Sequence, residues 1–135
     1  MSQYVSDTHA LIWHLTDDER LPPTCRNLFV GADRCDAQIW IPAIVIVEVI
    51  YLVEKARVPQ GLVERMLSAI DSPRSGYSLA ALDGKVARTL MQIPRDSSPD
   101  MPDRIIAATA LAIGAPLLTK DAKLQNVPGV TTIWA

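Results

Sequence analysis

The chain has 135 residues, 49% hydrophobic and 21% charged, a length and composition that suit one globular domain over residues 1–135 with a substantial core. Its formal net charge of −2 excludes a protein that holds nucleic acid by bulk positive charge, although it does not exclude a local basic face. The longest apolar stretch, residues 39–53, contains Pro42 and Glu48 and is shorter than the ~18 residues of a membrane-spanning helix.

The predicted elements alternate between short strands and helices along the chain. We predict strands at residues 3–6, 38–41, 76–79, 116–119 and 131–134. Helical periodicity, with Pro and Gly near the ends, predicts helices at residues 8–15, from 23 or 24 onward, and at 44–57, 60–70, 84–92 and 102–113. This order is typical of an α/β domain, in which helices cover both faces of a mainly parallel sheet.

Four acidic residues stand where such a fold places ligands, at the carboxyl ends of the strands. Asp7 and Asp121 follow predicted strands, and Asp103 lies near the start of a predicted helix. Glu48 is the only charged residue between positions 43 and 53, on a helix that we expect to be largely buried. An ionised glutamate there needs a basic partner, a metal ion or a position at the rim of a cleft.

Each acid also has a purely structural interpretation. Asp7 and Asp121 can cap the segments that follow them, and Asp100 with Asp103 can form the first turn of a capped helix. The set is harder to explain in this way, because clustered carboxylates repel one another unless cations compensate. Oxygen ligands suit Mg²⁺ or Mn²⁺ better than zinc, and metal-assisted phosphodiester hydrolysis uses such a site.

Other constellations are poorly supported. His9 and His14 are five residues apart, which does not place two zinc ligands on one helix face, and the isolated glycines form no phosphate-binding loop. The three tryptophans, at positions 13, 40 and 134, and Phe29 lie in apolar company and are interpreted as core. Cys25 and Cys35 form no CxxC pair, and the first residues lack the pattern of a signal peptide, so we expect a reducing, cytoplasmic location.

Four segments together resemble the PIN domain, and within it the VapC toxin ribonucleases of toxin–antitoxin pairs. These are residues 5–13 around Asp7, residues 46–49 around Glu48, residues 100–110 around Asp103, and residues 116–121 with Thr119 and Asp121. The sequence departs from the family where Val45 and Ile46 replace a small hydroxyl residue and where Pro102 replaces a bulky apolar one.

The resemblance implies a Rossmann-like three-layer fold and a Mg²⁺-dependent endoribonuclease, with Mn²⁺ as a plausible substitute. It further implies that Asp7, Glu48, Asp103 and Asp121 form the metal site, with the Thr119 hydroxyl beside them. The implied partners are an RNA substrate, a VapB-type antitoxin and a second copy of the chain, in toxin–antitoxin hetero-oligomers.

Three alternatives remain at this point: a PIN-like module that binds RNA or a protein without cutting, a DNA-cutting relative, and a phosphoryl-accepting signalling domain. The last is disfavoured because Ser6 and Thr8 flank Asp7, where such a domain has an acidic pair. Residues 1–48 carry seven acids and three bases, whereas residues 49–135 carry eight and ten. The candidates for drawing a polyanion are therefore the later bases Arg88, Arg95, Arg104, Lys120 and Lys123, although Arg104 can instead pair with Asp100.

Overall fold

The computed structural model describes residues 1–97 and 100–135. Its strands are β1 (Gln3–Ser6), β2 (Gln38–Pro42), β3 (Tyr77–Ala80), β4 (Leu117–Leu118) and β5 (Thr132–Ile133). Its α-helices are α1 (Thr8–Leu15), α2 (Pro23–Asp33), α3 (Ala43–Glu54), α4 (Leu62–Asp71), α5 (Gly84–Thr89) and α6 (Met101–Ile113).

The strands form one sheet in the order β3-β2-β1-β4-β5, and all four pairings are parallel. The chain first builds outward from β1 through β2 to β3, and α5 and α6 then return it to β4 on the other side of β1. The strand order therefore reverses between β1 and β4, which is where open parallel sheets bind ligands. The predicted α/β class with a parallel sheet is confirmed.

Helices cover both faces of the sheet. Successive side chains of a strand point to opposite faces, and the neighbours Leu117 and Leu118 are both 0% exposed. Val5 and Ser6 of β1 are likewise fully buried. Burial on both faces explains why neighbouring residues such as Leu117 and Leu118 are both apolar and do not alternate with polar residues.

The end of α3 differs from the prediction. The helix was expected to reach Arg57 but ends at Glu54, because Ala56 adopts a left-handed backbone with φ of 56°. The Ala56 amide donates to the Val53 carbonyl and the Arg57 amide to the Leu52 carbonyl, both at 2.9 Å. This hydrogen-bond pattern is a Schellman motif, which usually uses glycine at the position that Ala56 occupies here.

The other boundaries differ by one to three residues. The helix predicted from residue 60 begins at Leu62, because Gly61 has φ of 84° and precedes the first helical turn. The helix predicted over residues 84–92 is α-helical only to Thr89 and ends in a 3₁₀ turn, Leu90–Gln92. The predicted strands at residues 116–119 and 131–134 are each shorter by one residue at both ends.

The expectation that α3 is largely buried is wrong. Val45 and Val49 are its buried residues, whereas Val47 and Tyr51 are 44% and 59% exposed and Ile50 is also exposed. The helix is apolar all round, but only one side packs on the core. Glu48 is therefore half-buried at a rim and not enclosed in the interior.

Two smaller features complete the fold. Trp40 and Trp134, both interpreted as core, are only half-buried, and the Trp40 indole N–H donates to the Gln3 side-chain oxygen at 2.8 Å. Among the described helices, none combines the length and the apolar character that a bilayer crossing requires.

Candidate active site

The pairing of β1 with β4 brings the segments after these two strands together. Ser6 is in register with Leu118, and the Asp7 amide donates to the Leu118 carbonyl at 3.1 Å. Asp7 follows β1 directly, as Thr119 follows β4. These residues therefore lie side by side at the carboxyl edge of the sheet, at the point where the strand order reverses.

Asp7 is both a helix cap and a site candidate. Its Oδ1 accepts a hydrogen bond from the Ala10 amide at 2.8 Å, which caps α1. Burial raises the pKa of Asp7, and a hydrogen bond with the Thr119 hydroxyl opposes that shift. The nearby Asp121 carboxylate raises the Asp7 pKa further.

Asp103 lies on the first turn of α6, with its side chain among other carboxylates. Asp100 caps the helix as predicted, since its Oδ1 accepts from the Asp103 amide at 3.3 Å. Burial raises the pKa of Asp103 to about 7, and Asp100, Asp121 and Glu48 add to the shift by charge repulsion. A hydrogen bond between the Asp103 and Asp121 side chains contributes in the same direction, so Asp103 holds its proton up to near neutral pH.

Thr119 connects two of the acids. It is 0% exposed, and its Oγ1 accepts a hydrogen bond from the Asp121 amide at 3.1 Å. The same hydroxyl lowers the pKa of Asp7, against the effect of burial. Asp121 also accepts from the Lys123 amide at 2.9 Å, which holds the turn after β4. Thr119 therefore positions both neighbouring acids from below the surface.

Glu48 reaches the site from α3. The Thr8 hydroxyl donates a hydrogen bond to its Oε1, which ties α3 to the start of α1. Glu48 lies in a cavity of about 450 Å³ next to Thr8 and His9, and its charge raises the pKa of Asp103. Glu48 is thus within electrostatic reach of the other acids, although it lines a neighbouring cavity.

The other three acids share one cavity of about 430 Å³. We call it the acidic cavity; it is lined by Asp7, His9, Trp13, Asp103, Lys120 and Asp121. Three carboxylates face a single lysine there, so the cavity carries an excess of negative charge when all are ionised.

The carboxylates are neighbours but are not yet gathered around one point. Within residues 1–97 and 100–135, no three His, Cys, Asp or Glu side chains have the spacing of a formed metal site. In the same part of the chain, Asp7, Glu48, Asp103 and Asp121 form no ion pair with Lys, Arg or His. The pKa values of Asp7 and Asp103 are raised, and neighbouring carboxylates that form no ion pair fit a hard divalent cation.

The predicted basic residues near the acids differ in what they contact. Lys120 lines the acidic cavity, and its Nζ lies 5.8 Å from the centre of the Trp13 ring. Arg104 instead donates from Nη2 to the carbonyls of Leu90 and Ile93, at 3.2 and 2.9 Å. Among the described residues Arg104 forms no ion pair with Asp100, which was the alternative left open by the sequence; its side chain instead holds the 3₁₀ turn against α6.

Two residues of the acidic cavity were not predicted as site residues. His9 and Trp13, four apart on α1, lie with their ring centres 5.7 Å apart. The i, i+4 spacing beside Asp7 was the available signal, but it is equally typical of core packing. His14 faces elsewhere, with Nε2 2.9 Å from Asp33 Oδ2, so the two histidines share no site.

The similarity to known proteins extends over nearly the whole chain. Residues 4–130 match the model of the PIN domain family. The chain is 27% identical to Ribonuclease VapC22 of Mycobacterium tuberculosis over 136 aligned positions, which cover 99% of this chain and 100% of that protein.

Solved structures agree in fold. VapBC2 from Rickettsia felis, bound to a promoter DNA fragment, matches with a TM-score of 0.73 and 20% identity, over 98% of this chain and 99% of that one. DNA-bound VapBC from Salmonella typhimurium matches with a TM-score of 0.67 and 20% identity, over 98% of both chains. With acids at the carboxyl edge of a parallel sheet and a family match that spans residues 4–130, the chain belongs to the PIN domain family.

Proposed function

We propose that this protein is a divalent-metal-dependent endoribonuclease and the toxin of a toxin–antitoxin pair. The observation that carries the proposal is the acidic cavity, which Asp7, Asp103 and Asp121 line together and where, among the described residues, none of the three forms an ion pair. The similarity to a VapC ribonuclease over the full chain supports RNA as the substrate. The location that follows is the cytoplasm, where RNA is found.

The proposed ligands are Asp7, Glu48, Asp103 and Asp121. When bound, Mg²⁺ or Mn²⁺ supplies a water of lowered pKa and neutralises phosphate charge. Thr119 orients Asp7 and the segment of Asp121, and Thr8 orients Glu48. Lys120, at the mouth of the same cavity, attracts the backbone of the substrate.

A small antitoxin of the VapB type is the proposed partner, because the structural relatives include VapBC complexes. The exposed apolar side of α3, with Val47, Ile50 and Tyr51, offers a surface that a partner would cover. A second copy of the chain is the other proposed occupant. Light scattering of the chain alone and co-expressed with its antitoxin distinguishes the two.

The direct test is cleavage of labelled RNA and single-stranded DNA of the same sequence. We expect Mg²⁺ to support RNA cleavage, EDTA to abolish it, and Asp7→Asn to remove it. Asp36→Asn is the matched control, because Asp36 is exposed and lies just before β2, at the amino end of that strand.

The outcomes separate the competing functions. RNA binding without cleavage by the parent protein in Mg²⁺ and in Mn²⁺ identifies a binding module, whereas cleavage of DNA alone identifies a DNA nuclease. Full activity of Asp7→Asn would refute the proposed site.

A further inference from the structure

A second cavity, of about 420 Å³, adjoins the acidic cavity. His9 and Trp13 line both of them. We call this second space the basic cavity, because Arg20 and Arg57 lie on its walls together with Asp18. Arg20 follows α1 and Arg57 follows α3, so the packing of these helices brings them together.

The basic cavity has more positive than negative side chains, because two arginines and one aspartate line it. Asp18 is already held by Arg20, whose Nη2 lies 2.7 Å from Asp18 Oδ2 and whose Nε donates to the same carboxylate. Arg57 is exposed, and across residues 1–97 and 100–135 it forms no ion pair. The cavity therefore keeps one net positive charge at Arg57, in a protein whose total charge is −2.

Trp13 connects the two cavities and orders the cations beside them. Its indole is only 7% exposed, so it serves as a floor and not as a platform for stacking bases. The Arg20 guanidinium lies 4.6 Å from the ring centre, and the Lys120 ammonium lies 5.8 Å from it. Both distances are within the range of cation–π attraction. Trp13 thus holds Arg20 on the side of the basic cavity and Lys120 on the side of the acidic cavity.

We propose that the basic cavity binds a backbone phosphate of the RNA strand next to the phosphate that is cut, with Arg57 as its principal contact. This inference rests on the proposed function and assigns a second site to the same substrate. Because His9 and Trp13 line both cavities, a strand with one phosphate in the acidic cavity has a continuous route past these residues to the cavity that Arg57 lines. An acidic protein that binds a polyanion needs such local positive charge.

The first test compares Arg57→Gln with Arg65→Gln, an exposed arginine on α4 that serves as the control. Binding of an RNA oligomer is measured in Ca²⁺ across a salt series. Arg57→Gln is expected to shallow the slope of log K against log salt by about 0.7, the value for one single-strand phosphate contact. Arg57→Lys is expected to retain the parental slope, since it keeps the charge. In Mg²⁺, Arg57→Gln raises KM and leaves kcat unchanged, because the contact is the same in ground and transition states.

The second test locates the phosphate. Single phosphates on either side of the mapped cleavage position are replaced by uncharged methylphosphonates. The parent is expected to lose affinity at one flanking position, and Arg57→Gln to show no further loss there. Additive losses at every position would overturn the proposal.

Failure of this inference is distinguishable from failure of the proposed function. If the parent protein neither binds nor cuts RNA, the proposed function fails. If the parent cuts RNA while Arg57→Gln and Arg65→Gln keep the parental salt slope, only the basic cavity is wrongly assigned. Unchanged RNA binding with weakened antitoxin binding in Arg57→Gln also overturns the proposal, because the cavity then serves the protein partner.

Discussion

Asp103 and Asp18 are the same residue type in two adjoining cavities, yet their surroundings shift their pKa values in opposite directions. Burial and neighbouring carboxylates raise the pKa of Asp103 to about 7, whereas hydrogen bonds from Arg20 lower the pKa of half-buried Asp18 to about 2. The carboxylate in the basic cavity is already neutralised. The carboxylates in the acidic cavity are not, which is the condition under which a protein site takes up a cation.

The largest expected effect comes from breaking the acidic cavity. Asp103→Asn removes a proposed ligand, so we expect Mg²⁺-dependent RNA cleavage to fall by more than the roughly 10–100-fold that loss of a supporting residue costs. In metal-free buffer at pH 8 the same variant is expected to melt at a higher temperature than the parent, because one of the mutually repelling charges is gone.

Asp36→Asn, the exposed control, should change neither cleavage nor melting temperature appreciably. Full activity of Asp103→Asn would contradict its role as a ligand. A melting temperature below that of the parent in metal-free buffer would contradict the charge repulsion that distinguishes the acidic cavity from the basic cavity.

Stability against pH tests the same contrast in the metal-free protein. The folded state holds a proton on Asp103 more tightly than the unfolded chain does, so this group stabilises the fold below pH ~4. That contribution is lost as the pH rises through about 7. The parent should therefore lose stability relative to Asp103→Asn over this window, as followed by denaturant unfolding.

Asp18 should behave in the opposite sense. Because the pKa of Asp18 is lowered, its contribution to stability is present above pH ~4 and is lost as the pH falls through about 2.

Metal binding tests the Asp103 profile further. Addition of Mg²⁺ should reduce the loss of stability that the parent shows near neutral pH, and should have no such effect on Asp103→Asn. Parallel pH profiles for parent and Asp103→Asn would show that Asp103 is not perturbed.

Thr119 is expected to have an intermediate effect. Thr119→Val conserves the shape of this buried residue but removes the hydroxyl that contacts Asp7 and the Asp121 amide. A loss of about 10–100-fold in cleavage rate is expected for a residue that supports ligands. Thr119→Ser keeps the hydroxyl and should recover most of the rate; a fully active valine variant would remove Thr119 from the site.

The smallest expected effect distinguishes Lys120 from Arg104, two bases that are each adjacent in sequence to a proposed ligand. Lys120→Ala should shallow the salt dependence of RNA binding by about 0.7, as expected for one lost phosphate contact. Arg104→Ala should leave that slope unchanged and lower the melting temperature, because the lost hydrogen bonds go to the Leu90 and Ile93 carbonyls. An equal change of slope in both variants would place Arg104 on the RNA path after all.

The sequence predicted what is local and missed what depends on packing. Asp7, Thr119 and Asp121 follow short predicted strands, and parallel pairing places such positions at one edge of the sheet whatever the surrounding helices do. Arg20 and Arg57 are 37 residues apart in the sequence and line the same cavity only because α1 packs on α3. No sequence motif could therefore predict that they lie together.

The errors in the helices have the same origin. The left-handed turn at Ala56 uses a residue that gives no helix-stop signal, and the exposed side of α3 has the same apolar composition as its buried side. Composition alone cannot distinguish a core helix from one that keeps an apolar side for a partner.

The most direct test of the central claim is Mn²⁺ binding to the full chain at pH 8, followed by electron paramagnetic resonance of the free ion. We expect saturable binding by the parent and by Asp36→Asn, and loss of binding in both Asp103→Asn and Asp121→Asn, since these two acids line the acidic cavity. Equal binding by all four proteins, or none by the parent, would contradict a metal site at the carboxyl ends of β1 and β4.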